Sequence, residues 1–135
     1  MNQKAASIGL AQTSFSDPSG LDKENLSSAQ DLFVLLKYIY TNRPVLFLMT
    51  KGEESTATSA SFKQLSNFNR ITNSTATFIG GKVGMTDEAR ETYAGAFSLS
   101  INGSMRPIAV IALGSADVQV DVRALLRHIN AVYGR

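Results

Sequence analysis

Three apolar runs in close succession, at residues 78–85, 92–101 and 107–114, constrain this chain more than any other feature. Each has the length and β-branched or aromatic content of a strand. The connections between them are too short for the crossover that a parallel pair requires, so successive strands must be antiparallel neighbours. Asn102-Gly103 between the last two supplies the positive backbone dihedrals of a tight hairpin turn. In the second run Phe97, Leu99 and Ile101 alternate with Ala96, Ser98 and Ser100, which gives one apolar face and one small, mildly polar face. Residues 108–113 are apolar throughout, as expected for a strand covered on both faces.

Helices flank this meander. Val118, Val122, Leu125, Leu126, Ile129, Val132 and Tyr133 form a helical stripe. Asp117 and Asp121 stand toward its positive end, Arg127 and His128 toward its negative end, and Gly134 is placed to cap it. Upstream, Ala29, Leu32, Phe33, Leu36, Ile39 and Tyr40 predict an amphipathic helix over 28–41, with Ser27 and Gln30 in the order of a capping box. Pro44 ends that helix and opens a shorter one, and residues 44–49 are expected in the core. Residues 2–8 predict a helical turn ending at Gly9, and Asp17-Pro18-Ser19-Gly20 a turn inside a loop. The Ser-, Thr- and Asn-rich stretch 52–77 predicts an irregular connection with a brief strand near 57–62. The expected fold class is α+β: a three-stranded antiparallel meander with flanking helices. Residues 1–76 form a helical and loop region, and 77–135 the strands and last helix.

A chain of 135 residues with 44% apolar content has material for one core, hence one domain or part of one. Its net charge of +2 comes from both signs spread along the chain, so nucleic-acid binding has no support. Without cysteine it has no disulfide, thiol nucleophile or thiolate metal site, and either redox compartment is open to it. Residues 1–6 lack the pattern of a signal peptide, and no run approaches the roughly 18–20 apolar residues of a membrane span.

Chemistry concentrates at Lys82-Val83-Gly84, followed by Met85-Thr86-Asp87-Glu88-Ala89. This stretch resembles the Lys-Thr-Gly strand motif of the serine D-Ala-D-Ala carboxypeptidases, the low-molecular-mass penicillin-binding proteins. The resemblance extends over nearly the whole chain. Met1-Asn2-x-Lys4-Ala5, Gly9-Leu10, Thr13-x-Phe15 and Asp17-Pro18-x-Gly20-Leu21 look like the segment after that family's Ser-x-Asn motif. Ser27-Ser28-Ala29-x-Asp31-Leu32 resembles its next helix start, and Asn67-x-Asn69 the element ahead of the motif strand. Gly80-Gly81, Asn102-Gly103 and residues 108–114 complete the match.

The resemblance implies a partial β-lactamase/transpeptidase-like domain, with residues 1–135 as its C-terminal portion. It implies a serine peptidase that trims peptidoglycan stem peptides through an acyl-enzyme, binds β-lactams, works outside the cytoplasm and needs no cofactor or metal. Lys82 matches the lysine beside the nucleophile, which holds substrate and tunes proton transfer; a cation there favours a carboxylate and lowers a neighbouring donor's pKa. Val83, Gly84, Met85 and Thr86 match the substrate-binding stretch, with the Met85 N–H as one of two oxyanion donors. Val83 departs from the family's threonine, whose hydroxyl meets the substrate's terminal carboxylate. Losing such a bond costs roughly 1.5–3 kcal/mol, and Thr86 is the candidate to compensate.

The nucleophile motif Ser-x-x-Lys does not occur in the sequence, so the chain is expected to be inactive alone. Ser100-Ile101-Asn102 spells Ser-x-Asn but runs into the hairpin turn, and is read as coincidence. The sheet of the family has two further strands beside residues 108–113; without them an apolar edge invites self-association. The alternative reading is a noncatalytic peptidoglycan-binding or protein-interaction module on the same scaffold.

Plainer readings accompany each feature. Lys82 also suits an edge strand as a charge that discourages pairing, and Gly80, Gly81 and Gly84 suit a bulged or closely packed strand better than a phosphate loop. His128 has no triad partners at a motif spacing and reads as a surface residue. Asp87, Glu88 and Glu91 read as a solvated loop rather than a metal site. Phe33, Tyr38, Tyr40 and Phe47 read as core and helix surface, and the Asn73-Ser74-Thr75 glycosylation pattern carries no weight in a bacterial-type family.

Overall fold

The computed structural model describes residues 1–51, 71 and 76–134. The expected strand at 57–62, the Asn67-x-Asn69 element and Asn73 lie outside the described residues. The elements in order are α1 (Asn2–Ser7), α2 (Ala29–Asn42), α3 (Val45–Lys51), β1 (Ala76–Thr86), β2 (Arg90–Ile101), β3 (Ser104–Ser115) and α4 (Val118–Tyr133). The strands form one antiparallel sheet in the order β1-β2-β3, the open α+β arrangement expected from the sequence. Its hairpin turn is Asn102-Gly103, with φ of 51° and 73°, and Ile101 pairs directly with Ser104.

The two sheet faces carry separate cores. Tyr93, Phe97, Leu99 and Val110 meet Val118, Val122 and Leu126 of α4. On the other face Ala96 meets Leu36 of α2 and Phe47 of α3, with Ala94, Ala109 and Ile111 alongside. The alternation predicted for β2 thus sorts its side chains between two helical layers, and the uniformly apolar β3 serves both. The outer end of β3 is less covered, and Leu113 is exposed.

Helix ends differ from expectation in instructive ways. The N-cap of α2 is Ser28, whose Oγ accepts the Asp31 N–H at 3.2 Å. Ser27 instead bonds Thr13 Oγ1 at 3.0 Å, so the helix starts one residue later than a Ser27 cap would place it. Pro44 does open α3, which is bent from α2 by 108°, but only Phe47 of the apolar run is buried; Leu46 and Leu48 are exposed because so short a helix buries one face. In α4 the buried stripe narrows to Val118, Val122 and Leu126, with Ile129 half-buried, while Leu125, Val132 and Tyr133 point to solvent. Gly134 ends α4 with φ of −79°, so it is not the left-handed cap expected; its N–H still donates to Asn130 O at 2.9 Å. Arg127 and His128 lie before the last turn, since α4 runs to Tyr133.

The N-terminal region docks by polar contacts. Asn2 and the Phe15 backbone exchange two hydrogen bonds of 2.8 and 2.9 Å, and Lys4 Nζ lies 4.4 Å from the centre of the Tyr38 ring. A Ser14–Leu26 bridge closes the loop between them. No single helix among the described residues is long and apolar enough to cross a membrane.

Candidate functional site

β1 is an outer strand of the sheet, and its second half carries every residue singled out by the motif. Three glycines shape it. Phe78 pairs with Phe97 and Gly80 with Ala96, so the strand bulges at Ile79. A Cβ on Gly80 would stand 2.6 Å from Phe47 Cβ and 2.7 Å from its Cα, so α3 rests against bare backbone there. Gly81 pairs with Gly95, where a Cβ would meet the Gly95 Cα at 2.6 Å. The Tyr93 ring lies over Gly95 in the space this leaves. The Gly81 N–H is taken by Thr50 Oγ1 of α3 at 2.9 Å, while Thr50 Oγ1 donates to Phe47 O at 2.8 Å. The bulged, closely packed strand is therefore the observed role of Gly80 and Gly81.

Lys82 and Val83 point to opposite faces. Lys82 pairs with Ala94 on the α2/α3 side, is exposed, and its Nζ donates to the Val83 carbonyl. Val83 pairs with Tyr93 and packs half-buried against the α4 core. Its methyls are thus spent on packing. Gly84 pairs with Thr92, whose Oγ1 donates to the Gly84 carbonyl at 3.2 Å. Met85 is 74% exposed at the strand's end. Thr86 Oγ1 accepts the Ala89 N–H at 3.0 Å inside the turn to β2, where Arg90 has φ of 57°, and this bond leaves the hydroxyl hydrogen able to donate.

A cavity flanks each face of this strand end. On the Lys82 side, one of about 270 Å³ lies between Asp22, Lys23 and Asn25 of the N-terminal loop and Gly84, Met85 and Thr92. On the Val83 side, one of about 130 Å³ is lined by Val83, Met85, Glu91 and Gln119, with Ile71 and Val118.

Two aspartates of the matched segments prove to be supporting groups. Asp31 is buried, and its Oδ2 accepts the Gln12 N–H at 2.7 Å and the Thr13 hydroxyl at 2.6 Å, which fixes the entry to the loop. A charged residue in the first turn of a helix beside a Ser cap was the available signal. Farther along, Asp17 accepts from the Ser19 hydroxyl, the Asn25 amide and the Gly20 N–H, and these bonds, the Ser19 one foremost, hold its carboxyl far below the usual carboxylate range. Asp17-Pro18-Ser19-Gly20 signals a turn in the sequence, and these bonds show what its aspartate does there.

The remaining candidates separate. Glu91, expected in a solvated acidic loop with Asp87 and Glu88, instead accepts the Val118 N–H at 2.7 Å and holds the start of α4; Asp87 and Glu88 are exposed. No cluster of three or more metal-ligating side chains occurs among the described residues. His128 is exposed on α4. Ser100 and Asn102 sit at the opposite end of β2 from the residues paired with Met85, and the Asn102 N–H donates to Tyr133 O at 3.1 Å.

The family profile described as D-alanyl-D-alanine carboxypeptidase matches residues 1–115. The chain is 36% identical over 100 residues to D-alanyl-D-alanine carboxypeptidase DacB2 of Mycobacterium tuberculosis, covering 71% of this chain and 34% of that protein. It is 32% identical over 113 residues to D-alanyl-D-alanine carboxypeptidase DacF of Bacillus subtilis, covering 82% of this chain and 28% of that protein. The chain thus spans about a third of the length of the curated relatives it matches. The profile match takes in all of β1, β2 and β3 together with the loop that walls the larger cavity. The chain belongs to the D-alanyl-D-alanine carboxypeptidase family.

Proposed function

We propose that residues 1–135 form the C-terminal portion of one serine-type D-Ala-D-Ala carboxypeptidase domain, which trims peptidoglycan stem peptides outside the cytoplasm. The placement of Lys82 carries this reading: an exposed ammonium on an outer strand, two positions before the Gly84 that lines the cavity under the N-terminal loop, where a nucleophile from the rest of the domain can approach. In the proposed reaction a serine hydroxyl outside this sequence attacks the carbonyl between the two D-Ala residues. Terminal D-Ala leaves, and water then releases the shortened peptide from the acyl-enzyme. Lys82 stabilises the developing negative charge and holds the nucleophile's proton-transfer partners in their reactive state. The Met85 N–H, at the exposed end of β1, supplies one oxyanion donor, and Gly84 leaves the substrate free to approach the backbone. The chain alone is inactive, since its sequence has no Ser-x-x-Lys. Its partners are the stem peptide and β-lactams once an N-terminal half completes the domain, and other copies of itself when none does.

Intact mass after incubation with a β-lactam tests this reading, with the chain alone and with a family N-terminal half added. The expected result is an acyl adduct on the added half only when this chain is present. Halves that assemble, as judged by co-elution, yet form no adduct would overturn the catalytic reading in favour of a noncatalytic module.

A further inference from the structure

Lys82 is only as well placed as the backbone that carries it, and that backbone has little support of its own. Gly80 and Gly81 precede it with no side chains to pack, just after the bulge at Ile79. Glycine leaves the chain its widest conformational freedom. β1 also has a strand on one side only among the described residues, so the N–H groups of alternate residues face away from the ladder.

The outward N–H of Gly81 nevertheless has a partner. Thr50 Oγ1, in the last turn of α3, accepts it at 2.9 Å. The same hydroxyl donates to Phe47 O, one turn back, at 2.8 Å. A hydroxyl has one hydrogen to give and lone pairs to receive. A single oxygen here does both, and so ties the α3 backbone to the edge of β1. Phe47 itself packs against the bare Gly80 backbone. α3 therefore grips both residues before Lys82, one by contact and one by a hydrogen bond. The bond from Lys82 Nζ to the Val83 carbonyl lies within β1 and cannot fix the strand against a helix.

Resting on the carboxypeptidase reading, we infer that Thr50 is a positioning residue for the reaction: through the Gly81 N–H it fixes the backbone from which Lys82 presents its ammonium to the nucleophile. The role needs the hydroxyl and not only the bulk. Valine has nearly the shape of threonine but can neither accept from Gly81 nor donate to Phe47, whereas serine can do both.

The test compares the unaltered chain with Thr50→Val, Thr50→Ser and Leu36→Val. The last trims the same core cluster without touching the hydroxyl, and should lower the urea midpoint. In the 135-residue chain, NMR should show Gly81 amide exchange about three- to tenfold faster in Thr50→Val, the size of one neutral hydrogen bond. The Lys82 backbone order parameter should fall with it. Assembled with a family N-terminal half, the same variant should slow the first-order acylation step by a β-lactam about three- to tenfold and leave the preceding binding constant unchanged. Thr50→Ser should restore exchange, order and rate, and Leu36→Val should alter none of them. A Thr50→Val chain with unchanged exchange and rate, a failure of serine to rescue, or the same losses in Leu36→Val would overturn the inference. No acylation by the unaltered assembly would instead overturn the carboxypeptidase reading, and the exchange and order at Gly81 and Lys82 would still decide whether Thr50 holds the strand.

Discussion

At Gly80 the chain has no room for a methyl group. The obstruction is the Cα and Cβ of Phe47, which cannot rotate away, so Gly80→Ala must push α3 off the sheet. We predict a loss of about 1–3 kcal/mol, the usual cost of overpacking, measured as a lower urea midpoint. An unchanged midpoint would mean that the α3 contact adds nothing to stability. Gly84 differs, since an added Cβ there would meet only the Thr92 hydroxyl, at 2.8 Å. The glycine pattern marked a tight strand in the sequence, but the partner that makes it tight lies more than thirty positions away and had no local signal. Val83 was legible as a lost hydroxyl. That its methyls pack against the α4 core follows from strand register, which a one-residue slip would reverse. The bond from the Ala89 N–H to Thr86 was equally hidden, because it exists only once the turn to β2 has formed.

Among the elements, the strands and α2 were the most readable, since each is set by a repeating local pattern and, between β2 and β3, by Asn-Gly. Their ends were not: Ser27 and Ser28 are both competent caps, and the bond from Ser27 to Thr13 decides between them. The loop closed by Ser14 and Leu26 is the element most exposed to pH. Its Asp17 carboxylate, accepting from Ser19, Asn25 and Gly20, titrates well below its ordinary value of 3.8. A carboxyl depressed in the folded state contributes in full above its unfolded value and loses that contribution as pH falls through the folded one. Loop order should therefore be constant through neutral pH and decline only below about pH 4. Amide shifts of Gly20 and Asn25, followed from about pH 6 to about pH 2, check this. Loosening already near neutrality would contradict it. With Asn25→Ala the midpoint should move upward.

For the molecule as a whole, helices cover both sheet faces, and the two outer strands differ. β3 pairs only with β2 among the described residues, and its Leu113 is exposed. We predict concentration-dependent self-association by light scattering, weakened by Leu113→Lys, because edge lysines oppose strand pairing. A monomer at every concentration would count against it. The other edge is unlike this one: along β1, Thr50 takes the Gly81 N–H, Ile79 bulges, and Lys82 adds a charge. A head-to-tail filament needs two complementary edges, and among the described residues the β1 edge is the less suited to pairing. The association predicted through β3 is therefore isologous, each copy presenting the same strand to the other about a two-fold axis, and it should close at two chains.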